Sequence, residues 1–107
     1  MKQYKKLVRD KIPEIINKDG YSCSVLKLTN DEDFANSLAV KLLEESIEYA
    51  NNDDSVEELA DLFTVFIYIL SVKGVSFSDF LKIYSKKLEE KGGFDEKYFL
   101  IETTEEE

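Results

Sequence analysis

The sequence predicts a mainly α-helical domain, an antiparallel helical hairpin with further helices and a small two-stranded β ribbon. Three observations predict it. Apolar residues recur at helical spacing in three stretches, from Phe34 to Tyr49, from Leu62 to Val72 and from Phe77 to Leu88. Each stretch follows a capping pair: Thr29 with Glu32, Ser55 with Glu58, and Ser76 with Asp79. With four Gly and one Pro in 107 residues, the chain has few breaks. One domain, residues 1–107, is therefore expected, with 102–107 as a frayed acidic tail.

The chain opens on a basic segment, Lys2 to Lys11, that leads into a short helix over residues 11–18. Pro13 suits its first turn because the missing amide hydrogen has no helical partner there, and Gly20 is placed to end it. Residues 21–28 carry β-formers with partial alternation, which predicts a strand. Its partner is expected at 97–102, and such a pair needs helices beneath it to be stable. The first long helix runs from the Thr29 cap to about Ala50, and Asn51–Ser55 forms a turn. The second runs from Ser55 to about Lys73 before Gly74, and the third from 77 to Lys91 before Gly92 and Gly93. The third helix is expected to bury Phe77, Phe80, Leu81, Tyr84 and Leu88.

Composition removes several kinds of chemistry. No histidine is present, so His bases, His metal ligands and Ser-His triads are excluded. A single cysteine, Cys23, forms no intrachain disulfide and fits a reducing, cytoplasmic setting. The net charge of −9 argues against nucleic acid as a partner. The first ten residues are charged where a signal peptide is apolar, and the most apolar run, Leu62–Val72, is too short to cross a bilayer, so no membrane is expected either.

What remains is carboxylate and lysine chemistry, and the carboxylates are patterned. At ~100° per residue, Glu45 and Glu48 project about 60° apart, as do Glu58 and Asp61. Glu45 falls in the arc of Phe34, Leu38, Leu42 and Tyr49, whereas Lys41, Glu44 and Glu48 mark the solvated side. Glu58 shares the arc of Leu62, Val65 and Ile69, and Asp61 lies near Tyr68 and Val72, so both are expected to face inward. Inward-facing acids need a proton or cation to offset their charge, and a tight hairpin brings both pairs to its turn end. The pattern points to a divalent ion held by Glu45, Glu48, Glu58 and Asp61. Taken singly, these residues also fit a capping box, a first-turn acid and a solvated face paired with Lys41.

The paired acids Glu45-x-x-Glu48 and Glu58-x-x-Asp61 resemble the signature of the MazG-like all-α nucleoside triphosphate pyrophosphohydrolases. The opening run from Tyr4 to Pro13 and the closing run from Glu90 to Phe94 resemble small members of this group described as phosphoribosyl-ATP pyrophosphohydrolase-like. The resemblance thus covers most of the chain. It departs from many members in the short interval, residues 49–57, between Glu48 and Glu58.

The resemblance implies a MazG-like bundle and hydrolysis between the α- and β-phosphates of a nucleotide, giving nucleoside monophosphate and pyrophosphate. Mg²⁺, with Mn²⁺ as the substitute, is the implied cofactor, and a homodimer or higher homo-oligomer the implied assembly. Glu45 or Glu48 would act as general base, and Lys5, Lys6, Arg9, Lys11, Lys87 and Lys91 would meet the phosphates of the nucleotide substrate. A catalytically silent nucleotide-binding or regulatory module of the same fold is the alternative, and a purely helical assembly module a third. Base and sugar preference is not legible in these residues.

Overall fold

The computed structural model describes residues 2, 4–51 and 55–105. The expected turn at 51–55 and the end of the acidic tail fall partly outside the described residues. Among the described residues there are four helices: α1 (Ile12–Lys18), α2 (Asp31–Asn51), α3 (Val56–Val72) and α4 (Phe77–Lys91). The chain divides into two compact units, 1–75 with α1, α2 and α3, and 76–107 with α4.

In the first unit the helix ends are set by local hydrogen bonds. After α1, the amide of Gly20 donates to the Asn17 carbonyl and that of Tyr21 to the Ile16 carbonyl, with Gly20 at φ +90°. This is a Schellman end, which requires the left-handed geometry glycine adopts without a side-chain clash. Gly74 closes α3 in the same way, its amide donating to Ser71 and that of Val75 to Leu70. The cap of α2 is Asn30, not the expected Thr29. Its Oδ1 accepts from the amides of Glu32 at 2.8 Å and Asp33 at 3.2 Å. Asparagine's carbonyl reaches two first-turn amides at once, so it takes the cap from the threonine beside it. Ser55 caps α3 as expected, its Oγ accepting from the Glu58 amide at 3.2 Å.

Helices α2 and α3 pack against one another. Joined by residues 52–55 alone, they can lie side by side only by running antiparallel, which is the expected hairpin. Among the described residues the buried set is small: Leu38, Val65 and Leu70, with Glu45 and Glu58. Two acids in so small an interior are a feature to be explained, since uncompensated carboxylates resist leaving water. Outside, α2 leaves Val40, Leu43 and Ile47 exposed, and α3 leaves Leu59, Phe63 and Tyr68 exposed.

The β ribbon does not form. Among the described residues no strand is present, and Tyr21, Val25 and Leu26 at one end and Tyr98 to Ile101 at the other are all well exposed. The two segments belong to different units, and a two-stranded pair gains too little without a packed face. Lys97, at φ +57°, also bends the chain where the second strand was expected to begin, its amide donating to the Phe94 carbonyl. Beta-forming residues describe a fit to a pleated, half-buried surface, and among the described residues neither segment forms a strand.

In the second unit Ser76 caps α4 as expected, accepting from the Asp79 amide at 3.0 Å. Its apolar arc exists, with the Phe77 and Phe80 rings 6.3 Å apart. None of its residues is buried, however, contrary to the expected core role. Among its described residues the unit holds a single helix, so its arc has no second helix of its own to pack on.

Candidate metal centre

Glu45 and Glu48 lie on the last turns of α2, and Glu58 on the first turn of α3, so the hairpin brings them to one end. Each offers a carboxylate oxygen, and these atoms all lie within 4.8 Å of one another. Glu45 is 7% exposed and Glu58 5%, while Glu48 is open to solvent. The cluster therefore has two carboxylates buried in the protein and one at its mouth.

The Ser55 cap fixes the backbone of Glu58 through its amide, and helical rotation turns its carboxylate inward. There Oε1 is buried and has no hydrogen-bond partner among the described residues. The Glu58 pKa is pushed up to about 7, first by the hydrogen bond it shares with Glu45, then by burial, then by the charges of Glu45, Glu48 and Asp61. Carboxylates so placed cannot all be ionised without a positive charge among them.

Part of that charge comes from Lys41, one turn before Glu45. Its Nζ lies 3.2 Å from Glu45 Oε1 and 3.5 Å from Glu44 Oε1. Sequence spacing had placed Lys41 on the solvated side; its ammonium instead lies against the inward acid, with a side chain only 17% exposed. The Lys41–Glu45 spacing of one helical turn was the available signal.

Asp61, expected to face inward with the others, instead has a side chain 41% exposed and stands apart from the three-carboxylate group. It accepts a hydrogen bond from Arg9 Nη2 at 2.6 Å, and the same guanidinium nitrogen donates to Thr64 Oγ1 at 3.2 Å. A short charge-assisted bond of this kind is strong and directional. Asp61 nonetheless lies near enough to raise the pKa of Glu58.

The basic segment that was expected to meet phosphate lies against the acidic helices. Lys6 reaches Glu44 at 3.5 Å and sits over the Tyr4 ring, 5.7 Å from its centroid, and Arg9 holds Asp61. Lys11 occupies the cap position of α1, where it is exposed. Lys87 and Lys91 are exposed on α4 in the second unit. Lys5, exposed and at φ +49°, precedes Lys6 in the crossing segment.

The donor set suits a hard divalent cation. All three groups offer oxygen, an orphaned buried oxygen lies among them, and the open side leaves room for waters or phosphate oxygens, which Mg²⁺ retains in its octahedron. Softer metals are poorly served, because the sequence has no histidine and the cluster is made of carboxylates alone. Neither a family model, nor a curated protein, nor a solved structure matches the chain. Among the described residues no single helix is long and apolar enough to cross a membrane.

Proposed function

We propose that the protein is a Mg²⁺-dependent nucleoside triphosphate pyrophosphohydrolase of the MazG-like kind. Water attacks the α-phosphorus, the bond from that phosphorus to the α–β bridging oxygen breaks, and nucleoside monophosphate and pyrophosphate leave. The observation that carries this reading is the convergence of Glu45, Glu48 and Glu58 within 4.8 Å, two of them buried.

Glu45, Glu48 and Glu58 would hold the ion, which when bound neutralises charge on the phosphates and acidifies water. Glu48 is the residue best placed to take the proton from the attacking water. It stands at the exposed mouth, whereas Glu45 is engaged by Lys41 at 3.2 Å and Glu58 is enclosed. Lys5, Lys6 and Arg9 supply positive charge for the phosphate chain, in a segment already lying on the acidic helices. Lys87 and Lys91 lie in the other unit, and only the resemblance assigns them to the phosphates. A homodimer or higher homo-oligomer in the cytoplasm belongs to the same proposal, and would cover the exposed Val40, Leu43 and Ile47 of α2.

The Arg9–Asp61 pair favours one other reading, a nucleotide-binding module without turnover, because the fourth acid is already neutralised. One experiment separates the two. The protein is incubated with a panel of nucleoside triphosphates and Mg²⁺, and pyrophosphate is assayed beside thermal stability. Pyrophosphate release that is lost in Glu48→Gln supports the hydrolase. Nucleotide-dependent stabilisation without release from any triphosphate would replace it with the silent module.

A further inference from the structure

Lys41 stands one helical turn before Glu45 on α2, with its Nζ 3.2 Å from Glu45 Oε1 and 3.5 Å from Glu44 Oε1. We infer that this ammonium is the tethered counter-ion of the carboxylate cluster. It stabilises the turn end of the hairpin while no metal is bound and opposes the ion that competes with it, and so sets the metal affinity. This role rests on the metal-centre reading of Glu45, Glu48 and Glu58 and goes beyond it, because the family resemblance gives Lys41 no part.

Three observations converge. The Lys41 side chain is 17% exposed, against 39% for Lys6 and 74% or more for Lys18, Lys82 and Lys86, which also pair with acids. A lysine drawn that far out of water needs its charge met, whereas an ordinary solvated pair one turn apart needs no such burial. Its partner Glu45 is itself buried, so salt and water screen their attraction little. The compensation is nevertheless incomplete. Lys41 reaches Glu45 and Glu44, but Glu58 Oε1, buried in the same cluster, has no hydrogen-bond partner among the described residues. That unmet oxygen leaves a divalent ion something to gain that the ammonium does not supply.

The chemistry of the two cations sets their order. An ammonium is a single charge on a flexible stem, which suffices for the edge formed by Glu44 and Glu45. Mg²⁺ or Mn²⁺ carries twice the charge and takes oxygen from several carboxylates at once. With such an ion bound, Lys41 is a like charge beside it. One residue then has two effects of opposite sign. A lysine that merely staples α2 would, when neutralised, weaken folding and metal binding together; a counter-ion weakens the first and strengthens the second.

The test uses the full chain without nucleotide, at a single pH. Melting curves in EDTA and titration of Mn²⁺ by electron paramagnetic resonance are run on the wild type, Lys41→Met, Lys41→Gln, Lys41→Arg and, as a control outside the cluster, Lys18→Met. Both neutral variants at Lys41 are expected to lower the metal-free Tm by about 5 °C and to bind Mn²⁺ about fivefold more tightly. Lys41→Arg, which keeps the charge, and Lys18→Met should keep the wild-type affinity. Affinity that is unchanged or weaker in the neutral variants overturns this role, and so does an unchanged Tm in EDTA. If both neutral variants are unfolded in EDTA, refolding by Mn²⁺ supports the counter-ion and failure to refold overturns it. The readings fail separately. Equal Mn²⁺ affinity in wild type and neutral variants removes Lys41 and leaves the metal centre, whereas Mn²⁺ bound by none of the proteins overturns both. Tighter binding in the neutral variants, with no pyrophosphate released from any triphosphate by the wild type, keeps the counter-ion and refutes the hydrolase.

Discussion

Glu45 on α2 and Glu58 on α3 meet across the hairpin, both buried, with carboxylate oxygens within 4.8 Å of one another. The pair sits in the interior alongside Leu38, Val65 and Leu70, so the hairpin packs apolar residues and accommodates an acidic contact in one interface. A proton can satisfy that contact at low pH, and a cation can take its place as the carboxylates ionise. Under the proposed function, stability, metal binding and catalysis would be coupled through the same two side chains.

The first consequence is a pH dependence of stability. The Glu58 pKa is raised from 4.5 to about 7, so between those values the folded protein keeps a proton that the unfolded chain has released. Stability from this group is full below pH 4.5, falls as pH rises to about 7, and is level above it. Denaturation in EDTA from pH 4 to 8, with wild type compared to Glu58→Gln, isolates the effect from the other carboxylates. The variant is expected to gain on the wild type steadily as pH rises. A difference that shrinks instead would show that the Glu58 pKa is not raised.

Divalent cations should reverse that loss. An ion at ten times its Kd stabilises by about 1.4 kcal/mol, which for a small domain is a rise in Tm of about 5–10 °C. Because the ion competes with the proton for the same oxygens, the rise with Mg²⁺ or Mn²⁺ is expected to be larger at pH 8 than at pH 5. Chelation should remove it, and Glu58→Gln should lack it. Scanning calorimetry at the two pH values measures both. An equal rise in wild type and variant would place the ion elsewhere.

Glu48 separates function from fold. It is exposed, so Glu48→Gln removes a charge without opening the interior and should change stability by no more than about 0.5 kcal/mol. As ligand and general base, its loss should lower pyrophosphate release by at least about 100-fold. Steady-state rates beside a melting curve decide the point, and a folded variant with wild-type turnover would remove Glu48 from the reaction.

The hairpin, its serine caps at Ser55 and Ser76, and the glycine ends were legible because each depends on neighbours within a few residues. So were Glu45 and Glu58 as inward acids, which helical rotation alone predicts. The ribbon was misread because strand pairing depends on distant partners, and β-formers at 21–28 and 97–102 look the same whether or not a face exists to receive them. Thr29 and Asn30 are adjacent cap residues, and only the observed hydrogen bonds distinguish them. The contacts of Lys6 with Glu44 and Arg9 with Asp61 join segments far apart in sequence, and no local pattern announces those pairings.

Arg9 offers the sharpest test of how the fourth acid is used. Its bond to Asp61 is short, at 2.6 Å, but the side chains are 54% and 41% exposed, so the pair contributes at most about 1 kcal/mol to stability. Its larger effect is electrostatic, since a guanidinium beside Asp61 offsets negative charge that an incoming cation would otherwise feel. Arg9→Ala is therefore expected to fold normally and to bind Mn²⁺ about fivefold more tightly in the absence of nucleotide, as loss of about 1 kcal/mol of repulsion implies. In an Asp61→Asn background the same substitution should have a much smaller effect, because the carboxylate it unmasks is gone. Turnover should move the other way and fall in Arg9→Ala, since a positive charge for the phosphate chain is lost. Titration of Mn²⁺ by electron paramagnetic resonance across the four proteins of this cycle measures the coupling. Unchanged affinity in Arg9→Ala would show that Asp61 takes no part in the metal centre, leaving Glu45, Glu48 and Glu58 as its protein ligands.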